Sequence, residues 1–215
     1  MSAVPSTRRT QAERRSESER SLVGAAVDLI SREGVGAVTF EAISRNSGFS
    51  RGLATQRFGS KQGLLDAVLA QLHEGQAHRI RHEHRLDALP GLGAVLAYVD
   101  VCLRDLSMRA EARAYFMLLS SAVAEADTAR SAFFRQTHAE AEAQLTAWIL
   151  KGKAEGTVRK DVDPGAAALM IGCMMFGMSM QLLVDPAMDM EPIRKMSLSM
   201  LRTSLGVSPA GGDAP

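Results

Sequence analysis

Cysteine is scarce in this 215-residue chain: there are two, Cys102 and Cys173. They lie far apart in apolar surroundings and show no CxxC spacing. That excludes a disulfide framework and a thiolate zinc site, and it fits reduced thiols in a cytosolic core. Sustained β-branched alternation is absent, which excludes a sheet-based fold. Absent too are the GxSxG, HExxH, phosphate-loop and dinucleotide patterns, so no catalytic residue and no cofactor is expected. Paired acids such as Asp161 and Asp163 stand at a helix cap, which already explains them. His78 and His82 have the spacing of metal ligands, but the RIRHEHR run around them is dense with cations that repel a metal; no metal site is expected. The first twenty residues are polar and arginine-rich, without the apolar run of a secretory signal.

Net charge is also small, at +1, and as a total it excludes little. Its distribution is more informative. Residues 1–61 carry ten Lys and Arg against six acids, and no acid falls between Glu41 and Asp66, where four cations do. A basic N-terminal module on a mildly acidic body is the charge asymmetry of a nucleic-acid-binding head.

Helical periodicity runs through the rest. Residues 1–15 read as a flexible arm. A first helix carries Leu22, Ala25, Ala26, Leu29 and Ile30 on one face and stops at Gly34 and Gly36. Thr39 caps a short helix through Ser47, with Glu41 in the first turn, where the macrodipole favours an acid. Ser50 caps a second, to Phe58, and Ser60 caps a long one with Leu64, Leu65, Val68, Leu69 and Leu72 inward. Five longer helices follow: one from Pro90, one from Glu111 to Ala124 that is apolar on most faces and so central, one from Ser131 to Glu155, one from Asp163-Pro164 to Val184, and a last from Pro192. The tail 208–215 reads as disordered. The fold class is therefore all-α with about nine helices: a helix-turn-helix head in a domain at 16–78, and a larger helical domain at 79–207.

Pro164–Val184 contains no charge and is long enough to span a membrane. It holds Gln181, Ser179, Gly172 and Gly177, and cations flank both ends, so it gives no topology signal. A helix that is apolar all round also suits the buried centre of a helical oligomer, and no membrane association is expected.

The segment Thr39–Lys61, TFEAISRNSGFSRGLATQRFGSK, carries the chemistry. Two helices of about eight residues meet at a turn containing Gly48, with Phe40, Ile43, Phe49, Ala54 and Phe58 spaced to share a small core. The second helix presents Ser50, Arg51, Gly52, Leu53, Thr55, Gln56 and Arg57, with no acid among them. A helix of that size fits the major groove. Gly52 allows close approach, Gln56 can pair with adenine, and Arg51 or Arg57 with guanine or phosphate. Arg45 and Lys61 add positive charge on either side. Thr39 and the start of the Lys61 helix offer backbone N–H groups to phosphates.

The run from Glu19 to Leu69 resembles the DNA-binding domain of TetR-family regulators from end to end. The marks are the Gly34–Thr39 approach, the Ser50-Arg51-Gly52 helix start, Phe58, and Ser60-Lys61. Arg8–Arg14 resembles the arm of some members, and KAEGTVRKDVDPGAAAL is similar to the family's turn between helices seven and eight. The chain departs from the pattern at Thr55 and Arg57, where the family usually has Tyr and often His. The resemblance implies a cytoplasmic bacterial regulator, a repressor of palindromic operator DNA, acting as a homodimer through helices 164–184 and 192–205. It also implies release by a small effector that shifts the fourth helix and the spacing of the recognition helices. A helical ligand carrier or enzyme without DNA binding is the competing reading.

Nine of the twelve methionines lie from Met170 to Met200. They serve either core and dimer packing or an adaptable pocket for a hydrophobic effector. Tyr98, Phe116, Met117, Phe134, Trp148, Met174 and Met178 are the residues that would converge beside the 111–124 helix to line such a pocket.

Overall fold

The computed structural model describes residues 10–207, apart from the side chains of residues 81 and 82. Nine α-helices follow in order among the described residues: α1 (Gln11–Glu33), α2 (Phe40–Ser47), α3 (Arg51–Phe58), α4 (Lys61–His78), α5 (Gly91–Met108), α6 (Ala110–Ala124), α7 (Thr128–Glu155), α8 (Pro164–Val184) and α9 (Met190–Leu205). Among the described residues the one β pairing is an isolated antiparallel bridge, Val158 to Gly206. The all-α expectation is met.

The expected arm is shorter than its sequence suggests. Thr10 accepts the Glu13 N–H at 3.2 Å while its own N–H donates to the Glu13 carboxylate at 2.7 Å. This reciprocal cap starts α1 at Gln11, so residues 11–15 are helical. The rest of the arm and the tail lie outside the described residues.

The chain divides into two compact units, one ending at Gln71 and the other beginning at Leu72, within α4. In the first, Leu22, Ala26 and Ile30 of α1 are buried with Ile43 of α2, Ala54 of α3 and Leu64 and Val68 of α4. Phe40, Phe49 and Phe58 are only half-buried, so the aliphatic residues supply most of this core.

In the second unit α5 is the central helix. Ala94, Val95, Tyr98, Val99, Leu103 and Leu106 are buried along it. The expectation that residues 111–124 would be central does not hold. The bulky residues of α6 crowd around one full turn, so only Ala114, Leu118, Leu119 and Ala122 turn fully inward, and Tyr115, Phe116 and Met117 stay half-buried. Helix α5 packs closely on α7 because Gly91 faces Gly152: a Cβ on Gly91 would stand 2.1 Å from the Gly152 nitrogen and 2.3 Å from the Trp148 carbonyl oxygen. The Gly91 N–H donates to Glu155 at 2.7 Å, and Lys151 donates to the Leu89 carbonyl at 2.7 Å. Midway along α5, Asp100 pairs with Arg194 of α9, which also pairs, at 2.8 Å, with Glu191.

Gly91→Ala is expected to force the α5–α7 backbones apart. Overpacking against main-chain atoms costs about 1–3 kcal/mol, read as a lower denaturation midpoint at unchanged slope.

Candidate nucleic-acid interface and effector region

The helix-turn-helix is held by its caps. Thr39 accepts the Ala42 N–H at 3.1 Å and Ser50 accepts the Leu53 N–H at 3.2 Å. Gly48 ends α2 in the left-handed region, at φ 75°, a conformation that costs a residue with a Cβ. The Ser44 hydroxyl donates to the Phe49 carbonyl, and the Phe49 N–H donates back to the Ser47 hydroxyl at 3.3 Å. Ser60 accepts the Gly63 N–H at 3.1 Å and so caps α4.

This frame exposes Thr39, Arg45, Ser50, Arg51, Gly52, Thr55, Gln56 and Lys61, and leaves Leu53 half-buried. Beyond Gly52 a Cβ would meet nothing nearer than the Ser50 hydroxyl at 3.9 Å, so the surface there is flat and open. The Thr55 hydroxyl donates to the Arg51 carbonyl at 3.0 Å, within its own helix. Lys61 reaches the Gly36 carbonyl at 3.4 Å.

Two side chains are placed otherwise than their sequence positions suggest. Arg57 is half-buried and turns toward α1, its guanidinium 3.5 Å from the Ser18 hydroxyl. Its Nε is buried without a hydrogen-bond partner. Of the outward cations on α3, that leaves Arg51. The second is Glu41: its carboxylate lies 2.5 Å from the Arg51 guanidinium, joining the start of α2 to the start of α3. Sequence reasoning placed Glu41 only at a helix dipole. The signal for its second role was a ten-residue separation across the turn that brings the two helix starts together.

In the second unit the expected effector residues separate into groups. Tyr98 and Trp148 are buried with ring centroids 5.6 Å apart, and the Trp148 indole N–H donates to Asp87 at 2.8 Å. Phe116, Met174 and Met178 are partly buried against the same core. Phe134 belongs instead with Tyr115, centroids 5.2 Å apart. The Tyr115 hydroxyl lies 3.1 Å from that of Thr137. Met117 is half-buried on α6. Burial pushes the Cys102 thiol, one turn from Tyr98 on α5, up to about 12, so it stays neutral. An open cavity of about 500 Å³ lies between the end of α5 and the start of α9, with Leu103, Met108, Met188 and Arg194 among its lining; none of the seven expected residues lines it. No group of metal ligands occurs among the described residues.

Residues 22–68 match the family described as bacterial regulatory proteins, tetR family. No curated protein matches the chain. Among solved structures, the chain is similar to a TetR transcriptional regulator from Chloroflexus aurantiacus J-10-FL, with a TM-score of 0.75 at 20% identity over 91% of this chain and 99% of that one. It is similar to the triclosan complex of SmeT, with a TM-score of 0.74 at 19% identity over 93% and 98% of the two chains; SmeT is the repressor of the Stenotrophomonas maltophilia multidrug efflux pump SmeDEF. The ketosteroid transcriptional regulator KstR2 of Mycobacterium tuberculosis is similar at a TM-score of 0.67 and 16% identity, over 93% and 98%. These likenesses cover both units and establish the fold.

Proposed function

We propose that this chain, whose residues 22–68 match the tetR family of bacterial regulatory proteins, is a homodimeric cytoplasmic repressor, released from a palindromic operator by a small hydrophobic effector. The observation that carries the DNA reading is the exposed, capped α3. It offers Arg51 and Gln56 to base edges beside a backbone left bare at Gly52, with Arg45 and Lys61 available to phosphates.

The dimer reading rests on the outer faces of α8 and α9. Helix α8 exposes Leu169, Met170 and Phe176 along one stripe, and α9 exposes Met196 and Met200, at 62% and 59%. Apolar side chains repeating on two adjacent helices are what a four-helix interface between two copies covers. The same stripe is why α8 is long and apolar enough to cross a membrane. Pairing with a second copy accounts for it without lipid.

The effector reading draws on a structural neighbour solved with triclosan. It places the ligand body beside Tyr98, Trp148, Phe116, Met174 and Met178, with Phe134 and Met117 at the α6 side. Ligand there would reposition α4. Two recognition helices of a dimer must stand about 34 Å apart, one DNA turn, to enter successive major grooves, and a change in that spacing releases them.

Gel shift against operator duplexes at several salt concentrations tests the DNA reading and separates a regulator from a helical carrier or enzyme. Affinity is expected to fall steeply with salt, Gln56→Ala to change base preference, and Lys61→Ala to weaken all sequences alike. Equal loss at every sequence for Gln56→Ala would remove its base-reading role.

Gly172→Leu tests the interface without disturbing the protomer, because a Cβ there meets nothing within 4 Å inside the chain. Sedimentation in detergent-free buffer is expected to show a dimer for the parent and a folded monomer for the variant, with operator binding lost. A variant still dimeric removes α8 from the interface.

Effector binding is expected to stabilise the protein by about 2.7 kcal/mol at a hundred-fold excess over Kd, seen as a raised Tm, and to weaken operator binding. A panel of fatty acids, acyl thioesters and hydrophobic drugs that does neither would overturn the effector reading.

A further inference from the structure

We propose that Glu41 is a specificity-determining residue. By holding Arg51 at the start of α3, it suppresses binding to arbitrary DNA and aims the guanidinium at one base. This rests on the DNA-binding reading above.

The observation is an acid where an interface with phosphates should exclude one. Glu41 lies two residues after Thr39, in the segment that the DNA-binding reading turns to DNA, and its side chain is 54% exposed. Phosphates repel it. A place in the first turn of α2 explains an acid by the helix dipole, but not the reach of its carboxylate to Arg51 on the next helix, 2.5 Å away. Nor is the pair there for stability, since both side chains are more than half exposed and ion pairs in water add little.

What the pair changes is the behaviour of Arg51. A free arginine at the start of a recognition helix neutralises whichever phosphate is nearest, and so strengthens binding to every sequence equally. With Glu41 beside it, the local charge is zero and one guanidinium nitrogen is occupied. The remaining N–H edge is held in one direction and suits a bidentate contact with the O6 and N7 of a guanine. Arg57, the other cation on α3, is turned to Ser18 and cannot substitute. Discrimination by arginine on this helix therefore depends on the Glu41–Arg51 pair.

The test compares the full-length protein with Glu41→Gln, Glu41→Asp and Arg51→Lys. Each selects from a randomised duplex library, and each is then titrated with its best duplex and with bulk genomic DNA across salt. For Glu41→Gln, affinity for bulk DNA is expected to rise several-fold, with the salt slope steeper by about 0.9, one extra phosphate's worth. The preference for the best duplex over bulk DNA should fall about ten-fold, with one guanine position lost from the selected sequence in each half-site. Glu41→Asp keeps the charge at the helix start and shortens the reach. It should lose the same guanine position, whereas a role in the helix dipole alone would leave it like the parent. Arg51→Lys should lose that position as well. The proposal is overturned if Glu41→Gln raises both affinities equally and leaves the selected sequence intact, or if it changes neither. A parent protein that retains no duplex from the library at any salt overturns this proposal and the DNA-binding reading together; binding with unaltered selectivity overturns only this one.

Discussion

A helix of eight residues makes too few backbone hydrogen bonds to persist in water, and the head of this protein depends on overcoming that limit twice. Isolated helices shorter than about 12–15 residues are marginal. Helices α2 and α3 are both eight residues long. Their ends are therefore secured individually: Thr39 and Ser50 at the starts, left-handed Gly48 between them, and crossed hydroxyl bonds from Ser44 and Ser47 around Phe49. Burial of Ile43 and Ala54 fixes which way the pair faces. The direction of Arg51 and Gln56 follows from these local bonds. Short helices held this way offer a flat, exposed face, which longer self-stable helices packed on all sides would not.

The second unit meets the opposite demand. Its helices are long, and their problem is the apolar surface they leave over. Contact between Gly91 and Gly152 draws α5 and α7 together at backbone distance, and Arg194 ties α9 to Asp100 on α5. With α5 saturated in this way, the stripes on α8 and α9 stay exposed among the described residues. An uncovered apolar stripe on a rigid scaffold keeps its shape, and shape is what a second copy would recognise in the proposed dimer.

Much of this was legible in the sequence, because caps and breakers act locally. Thr39, Gly48, Ser50, Ser60, Asp163 and Gly156 each mark a helix end from within three residues, and each does so in the structure. What was not legible depends on contacts between elements. Arg57 reads as an outward cation from its place on α3, yet the helix axis tilts it toward Ser18, 39 positions earlier. The centre of the second unit was assigned to residues 111–124 from their apolar content. The structure puts α5 there because glycine at its start permits a closer approach than side-chain count can register. Thr10 reads as part of a free arm because its surroundings are polar and arginine-rich, although its capping pair with Glu13 is present in the sequence.

Contacts at the end of α4 and just past it bear on how the proposed effector would act. Arg79 and Asp105 pair at 3.1 Å with both side chains largely buried. His73 meets Glu140 at 3.4 Å at a more exposed site, and Gln76 reaches the Cys102 sulfur at 3.9 Å. Moving a two-state equilibrium from one extreme to the other requires a differential affinity of about 5.5 kcal/mol. Exposed polar contacts and a sulfur hydrogen bond supply about 1 kcal/mol each at most, and among these three the Arg79–Asp105 pair is the most shielded. Breaking any one of them would not suffice. An effector of the kind proposed would therefore work chiefly through packing, by changing how α5 and the residues beside it fill the space against which α4 ends. Under the proposed effector reading, volume rather than a single polar contact would be what the second unit measures in a ligand. The half-buried methionines of α8 suit that task, since an unbranched thioether side chain adapts its shape at little cost.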